Sequence, residues 1–252
     1  MPKAKQDAKQ RVLFVLPKPP GQNRGHVALN CSGDPLRDLD YVAESYQSLA
    51  RDRLQFLHSN RPNGLHTDDA FEAYPIVFLY RQAFELSLKA VIFAGAALLR
   101  DKGEEPMPLE TLMKHELMPF LKETLRIFKR FGWRDAWDLG EPGLRTRADL
   151  EKVVREFDYI DAGSYTFRYT MKTDGTTPSL DIGFEFDLCT FAEIMEKMLA
   201  RLKDVPEMIR EEMQGRWEAA YEAQLEAWAN ADYEPPDYDS DPPDYEPPDY
   251  EP

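Results

Sequence analysis

Hydrophobic residues fill the segment Tyr74–Leu99 on nearly every side of a helix, apart from one narrow polar line. At about 100° per residue, Arg81, Gln82, Glu85 and Lys89 fall within an arc of roughly 100°. We call these four residues the charged stripe. A helix that is apolar on its other sides must be wrapped by other helices. The sequence therefore predicts a central helix whose charged stripe faces a cleft, a partner or an internal seam of ion pairs.

Helical periodicity recurs in four further segments, which the sequence places at Asp40–Asn60, Leu109–Phe131, Leu150–Ile160 and Leu188–Ala229. Pro119 is expected in a first turn or at a kink, and Pro206 is expected to kink or divide the last helix. Residues 1–40, with a short candidate strand at Arg11–Leu16, are predicted to form an irregular segment around the bundle. The fold class is thus mainly α, with a helical-bundle domain over residues 41–231.

The period changes from 3.6 to 2 between residues 164 and 187. Apolar and polar residues alternate over Tyr165–Met171 and again over Leu180–Phe186, on either side of Asp174-Gly175. This pattern is typical of two strands joined by a tight turn. We therefore expect one β-hairpin inserted before the last helix, with its basic and acidic faces paired across the strands.

The C-terminal residues 232–252 repeat a short unit of Asp, Tyr and Pro and contain nine acidic residues and no basic one. Such a composition is typical of a disordered tail, and it suits a solubilising extension, a contact for a partner protein or an acidic mimic of RNA. The formal net charge is −15, of which the first 231 residues carry −6, so general binding to phosphate is not favoured.

Cys31 and Cys189 form no metal-binding or redox spacing, and Arg81, Glu85 and Lys89 interrupt the longest apolar segment. We therefore expect a cytoplasmic protein with no membrane span, no metal and no cofactor. The chain also contains no phosphate-binding loop, no dinucleotide fingerprint and no hydrolase or metalloprotease motif.

Three segments carry a resemblance to a known superfamily. They read YPIVFLYRQAFELSLKAVI, KHELMPFLKETL and EFDYIDAGSYTFRYTMKTDG, and their order and separation resemble the HEPN superfamily of nucleotide-binding helical bundles in prokaryotic conflict systems. The resemblance spans roughly Tyr74 to Arg201. It implies a HEPN-like bundle that forms a homodimer and takes part in defence or in a toxin–antitoxin pair.

The chain departs from the catalytic members of that superfamily in one respect. Those members resemble one another in an R-x4-6-H motif late in the bundle, where Arg and His of two protomers act on RNA without metal. All four histidines of this chain precede residue 116, so the late helix has none. The resemblance therefore implies binding of RNA, a nucleotide or a partner protein without the usual ribonuclease centre.

An alternative centre is available in the first predicted helix. Arg51 and His58 are seven positions apart and so lie on nearly the same face, whereas Arg53 lies within the apolar face. Arg51 and His58 are thus candidate groups for holding a phosphate and moving a proton, or else residues of a solvated face. For Arg53, pairing with Glu85 and a stem along the core edge are both open.

The charged stripe itself has two interpretations. Arg81, Glu85 and Lys89 form consecutive i,i+4 pairs, which either bind a phosphate or nucleotide or form a structural ion-pair ladder. Arg168 either stacks with RNA bases among its aromatic neighbours or pairs with Glu185 or Asp187 across the hairpin. His115 is expected to cap a helix start.

These observations lead to three hypotheses about function. The first is a HEPN-like accessory protein that binds RNA, a nucleotide or a partner, with Arg81, Lys89 and Arg168 as binding residues. The second is a metal-independent endoribonuclease toxin that uses Arg51, His58, Arg81 and Glu85. The third is a purely structural interaction module.

Overall fold

The computed structural model describes residues 35–61, 70–133, 147–161, 163–172, 174–181, 184–185 and 187–230. Within these ranges the chain is mainly helical. The six helices are α1 (Pro35–Asn60), α2 (Ala70–Asp101), α3 (Leu109–Leu112), α4 (Leu117–Arg130), α5 (Arg147–Asp161) and α6 (Leu188–Asn230). The predictions for residues 1–34 and for the tail at 232–252 lie outside the described residues.

The central position predicted for Tyr74–Leu99 is confirmed. Helix α2 contacts α1, α4 and α6, and α5 packs against α4. Phe157 of α5 also stacks on Phe84 of α2 at 5.9 Å between ring centroids, and it meets Phe191 of α6 edge-on. By length and composition α2 is apolar enough to cross a membrane, but 67% of its most apolar window is buried inside the protein. Its apolar surface is therefore accounted for by the core.

Two predicted helix boundaries are wrong. Helix α1 begins at Pro35 rather than Asp40, and α2 begins at Ala70 rather than Tyr74. The predicted kink or division of the last helix is not seen as a break, because α6 continues through Pro206 as one helix of 43 residues.

The helix predicted over Leu109–Phe131 is instead two helices separated by the turn at Met113–Glu116. Pro119 lies in the first turn of α4, where its missing N–H is not needed. The break has a structural purpose, because the carbonyl oxygens of Lys114 and His115 point away from a helix and accept hydrogen bonds from Lys89 and Arg81. An unbroken helix would use these oxygens internally.

The predicted strand at Tyr165–Met171 is wrong, since the described residues there form a turn instead. Asp161 Oδ1 accepts hydrogen bonds from the backbone N–H of Tyr165 and Thr166, at 2.5 and 2.8 Å, and these bonds coil the chain where the strand was expected.

Farther along the chain turns at Asp174-Gly175, and one antiparallel bridge joins Met171 to Pro178. Of the second predicted strand, Leu180, Asp181, Phe184 and Glu185 are not extended into a ladder, while Ile182, Gly183 and Phe186 lie outside the described residues.

Candidate functional site

The charged stripe of α2 is buried within the protein. Arg81 is fully buried and Glu85 and Lys89 nearly so. Glu85 joins the other two: its Oε2 lies 2.8 Å from Arg81 Nη1 and its Oε1 accepts a hydrogen bond of 2.8 Å from Lys89 Nζ. The i,i+4 pairs that the spacing indicates are therefore formed, and they are formed away from solvent.

The turn between α3 and α4 supplies the remaining acceptors for the two cations. Arg81 Nη2 donates to the carbonyl oxygen of His115 at 2.5 Å, and Lys89 Nζ donates to that of Lys114 at 3.0 Å. His115 Nδ1 lies 2.9 Å from Glu85 Oε1. Because a carboxylate only accepts hydrogen bonds, Nδ1–H is the donor in this pair. His115 thus belongs to the network rather than capping a helix on its own.

A second carboxylate balances the charge. Asp161, at the end of α5, is buried, and its Oδ2 lies 3.5 Å from Arg81 Nε. Two cations, Arg81 and Lys89, therefore face two anions, Glu85 and Asp161. The formal charges of these four side chains cancel, which weakens the field that would attract a phosphate to Arg81 and Lys89.

The network continues into the turn after α5. Gln82 Nε2 donates to Ser164 Oγ at 2.7 Å, and Arg168 Nε donates to the carbonyl oxygen of Ser164 at 2.5 Å. Ser164 is fully buried and has φ = 57°, which is uncommon for a residue with a side chain. The side-chain hydroxyl and the backbone carbonyl of this strained residue therefore each accept a hydrogen bond from a neighbouring side chain.

The pKa of Glu85 reflects these contacts. Burial alone raises the pKa of its carboxyl, but the hydrogen bond from Lys89, the charge of Arg81 and the hydrogen bond from His115 outweigh burial and leave the pKa below its usual value. Glu85 is therefore ionised at neutral pH, and it is not poised to hold or accept a proton during a reaction.

Solvent reaches this network at its edges, where His115 and Arg168 are exposed and Gln82 is half-buried. The His115 side chain is 49% exposed, whereas the side chains of Arg81 and Glu85 are sealed. The clefts at the surface lie elsewhere. One, of about 220 Å³, is apolar and is lined by residues of α2, α5 and α6 that include Val77, Phe157 and Phe191, and none of its lining residues belongs to the charged stripe.

Arg51 and His58 lie in a different place, between α1 and α6. Arg51 forms a two-point ion pair with Glu196, with Nε–Oε1 and Nη2–Oε2 distances of 3.1 and 2.5 Å. Tyr80 and Gln47 also donate to Glu196, at 2.8 and 2.7 Å. Of the four residues assigned to the alternative catalytic centre, Arg81 and Glu85 are thus brought together, while Arg51 and His58 point to another helix.

The same cluster shifts two pKa values. Burial raises the pKa of the Glu196 carboxyl, but hydrogen bonds from Arg51, Tyr80 and Gln47 lower it further than burial raises it. The pKa of the Tyr80 hydroxyl is raised by burial and by its hydrogen bond to Glu196. Arg51 is therefore already neutralised by an ionised partner.

His58 contacts the one cysteine in the described residues. Its Nε2 lies 3.1 Å from Cys189 Sγ, a pairing that the sequence analysis missed because 131 positions separate the two. Burial and the nearby Asp187 and Glu193 raise the pKa of the thiol. A reactive cysteine needs the opposite shift, so this contact is not an activated nucleophile.

Two pairings that the sequence left open are not formed. Arg53 pairs with Glu72, with 3.0 Å between Nε and Oε2, rather than with Glu85, because both lie at the accessible edge between α1 and α2. Arg168 binds the backbone of Ser164 and lies 5.8 Å from the Tyr169 ring instead of meeting Glu185 or Asp187. Asp187 accepts hydrogen bonds from the N–H groups of Cys189 and Thr190 and caps α6.

The last third of α6 exposes large apolar side chains on one side. The four residues, with their exposed fractions, are Trp217 (61%), Tyr221 (63%), Leu225 (44%) and Trp228 (69%). We call them the aromatic stripe. Their steps of four, four and three positions keep them within an arc of about 80°. This periodicity is present in the sequence, but periodicity does not distinguish a buried face from an exposed one.

Comparison with known proteins adds no relative to this geometry: no protein-family model matches the sequence, and no curated protein or solved structure matches it. The described residues also contain no group of three or more His, Cys, Asp or Glu side chains arranged to hold a metal ion.

Proposed function

We propose that this chain is a HEPN-like accessory protein of a bacterial or phage conflict system, acting in the cytoplasm as a homodimer and binding a partner protein rather than cutting RNA. The observation that supports this function is the aromatic stripe of α6. Four large side chains exposed on one helical face are unfavourable in water unless another surface covers them. Trp and Tyr are also the side chains that most often anchor protein interfaces.

The surroundings of the stripe favour a protein over a nucleic acid. Glu218, Glu222 and Glu226 follow one another at four-residue spacing along one edge of the stripe; we call them the acidic ladder. Aromatic residues that stack with RNA bases are normally accompanied by basic residues that follow the phosphates. An acidic ladder repels phosphate, so the stripe suits an apolar segment that carries Lys or Arg.

The arrangement of the charged residues does not favour the endoribonuclease alternative. A phosphate would have to displace Glu85 and Asp161 to reach Arg81, and Glu196 to reach Arg51. Breaking the buried Arg81–Glu85 pair leaves an unpaired charge, which costs about 3–5 kcal/mol. The charged stripe is therefore better suited to joining α2, α4 and α5 than to binding a substrate.

Proximity labelling in the native host, followed by reconstitution with the purified partner, tests this function. We expect the double variant Trp217→Ser/Trp228→Ser to bind the partner at least 10-fold more weakly than the unchanged protein. Tyr159→Ser is the matched control, since Tyr159 is an aromatic residue that is 88% exposed on α5. Equal binding by both variants would refute a role for the stripe.

A cleavage assay separates this function from the ribonuclease. The purified chain is incubated with tRNA and mRNA beside His58→Ala, a substitution at an exposed position. We expect no cleavage by either protein. Cleavage by the unchanged chain that is lost in His58→Ala would favour the endoribonuclease instead.

A further inference from the structure

We propose that the aromatic stripe is covered, within the same chain, by the basic and apolar segment at residues 3–18. This inference extends the proposed function, because it names the chemistry that the stripe accepts and a competitor that a partner protein must displace. Three observations support it: the direction of α1 relative to α6, the length of chain before α1, and the opposite charges of the two segments.

Helices α1 and α6 run antiparallel with a constant register. Three of the pairs that join them lie seven residues apart along each helix: Glu44 with Lys203, Arg51 with Glu196, and His58 with Cys189. Gln47, one turn before Arg51, also donates to Glu196. In each of the three pairs the two residue numbers sum to the same value, 247. Extended to the first residue of α1, this register places Pro35 level with Glu212. The chain before α1 therefore enters the bundle just below the aromatic stripe.

The preceding segment is long enough to reach the stripe. From the level of Glu212, the stripe extends from about 8 to about 24 Å along α6, at 1.5 Å per residue. The eighteen residues between Leu16 and Pro35 can span up to about 60 Å. Residues 3–18 can thus lie along all four stripe side chains without any change in the bundle.

The charges of the two segments are complementary. Residues 1–18 contain five basic residues and one acidic residue: Lys3, Lys5, Lys9, Arg11 and Lys18, and Asp7. Residues 211–230 contain five acidic residues and one basic residue: Glu211, Glu212, Glu218, Glu222 and Glu226, and Arg216. The net charges are therefore +4 and −4. Between the cations lies Val12–Leu16, an unbroken apolar run that matches the stripe in character.

Charge also decides between this segment and the other candidate occupants. The tail at residues 232–252 carries nine acidic residues and no basic one, so the acidic ladder repels it. A second copy of α6 brings one acidic ladder against another. Residues 1–18 bring the opposite charge, and a short tether gives an effective concentration on the order of 1 mM. If the segment binds the stripe with a dissociation constant of about 100 μM, it is then bound in about 90% of the molecules.

The experiment uses the full chain, a variant lacking residues 2–18, and a fluorescent peptide of residues 1–18. We expect the peptide to bind the deletion variant at least 10-fold more tightly than the full chain, whose own segment occupies the stripe. Trp217→Ser/Trp228→Ser in the deletion variant should abolish binding, and Tyr159→Ser should leave it unchanged. A peptide with Lys3, Lys5 and Lys9 replaced by Glu should bind at least 10-fold more weakly.

Hydrogen exchange gives an independent readout. Amides of residues 214–229 should exchange at least 5-fold faster in the deletion variant than in the full chain at every protein concentration. Protection that grows with concentration would overturn the proposal, because the occupant is then a second copy. Loss of protection on removal of residues 232–252 instead would overturn it in favour of the tail.

Equal peptide affinity for the full chain and the deletion variant, or no binding to either, also overturns the proposal. Such a result leaves the proposed function standing if the partner protein still requires Trp217 and Trp228. If binding of the partner protein is also unchanged by those substitutions, the further inference and the proposed function are both refuted.

Discussion

The charged stripe of α2 and the aromatic stripe of α6 are opposite departures from an ordinary amphipathic helix. In α2 a line of charges runs through an apolar helix, and in the end of α6 a line of aromatic residues runs along a polar one. The charged stripe is completed inside the chain, with its cations held by Glu85, Asp161 and two backbone carbonyls. The aromatic stripe is exposed. Side chains out of keeping with their helix therefore mark a site only where the surrounding helices of the bundle do not supply the partner.

The sharpest way to break this comparison is to unbalance the charged stripe. Glu85→Gln leaves Arg81 and Lys89 buried without their shared anion, and we expect a loss of about 3–5 kcal/mol in the free energy of unfolding. Urea denaturation followed by circular dichroism measures it. The matched control is Glu72→Gln, which removes an exposed pair with Arg53 and should cost less than about 1 kcal/mol. Equal losses would show that the stripe is not a buried network.

The next largest effect is expected where α2 packs against α4 at Gly95. A Cβ at Gly95 would lie 2.5 to 2.7 Å from three side-chain atoms of Ile127, which is itself fully buried and cannot move aside freely. Gly95→Ala should therefore lower the free energy of unfolding by about 1–3 kcal/mol, even though alanine favours helix. Thermal unfolding measures the change. An increase in stability would mean that α2 and α4 are less closely packed than described.

Acid should weaken the two ionised clusters. Glu85 and Glu196 have pKa values below their usual range in the folded chain, so each stabilises the fold above the unfolded pKa of about 4.3 and loses that contribution as the pH falls through the folded value. One such group changes stability by at most about 1.4 kcal/mol per pH unit. We expect Glu196→Gln to give a shallower decline than the unchanged chain between pH 5 and pH 3. Identical slopes would contradict the shift assigned to Glu196.

The smallest effect is expected in the extension of α6. A Cβ at Gly215 meets nothing within 4 Å, so Gly215→Ala should strengthen the local helix by about 1 kcal/mol. Hydrogen exchange over residues 211–229 should slow about 5-fold, while the urea midpoint of the bundle stays the same. The same substitution thus has opposite signs at Gly95 and Gly215, which tests directly whether one helix is enclosed and the other is not.

Helices and the charged stripe could be predicted from the sequence because both depend on local periodicity. The partners of the stripe could not, since Asp161 and His115 lie 80 and 34 positions from Arg81 and carry no local signal. The predicted strand at Tyr165–Met171 is wrong for a different reason. Apolar and polar residues alternate over Tyr165–Met171, and this pattern does not distinguish a strand from the observed turn. Asp161 decides the outcome, because its side chain accepts hydrogen bonds from backbone N–H groups that would otherwise donate to a neighbouring strand.

Helix α6 is one rod of 43 residues, about 65 Å long, which is anchored in the core up to Met213. Its far end at Trp228 projects about 22 Å beyond that anchor. Because α6 is continuous through Pro206, a force applied at Trp228 acts on the bundle over that distance. In its anchored part, α6 contacts α2 through the Tyr80–Glu196 hydrogen bond and the Tyr80–Phe191 ring contact. A partner that binds this end of α6 therefore binds the same helix that packs against α2 at the centre of the protein.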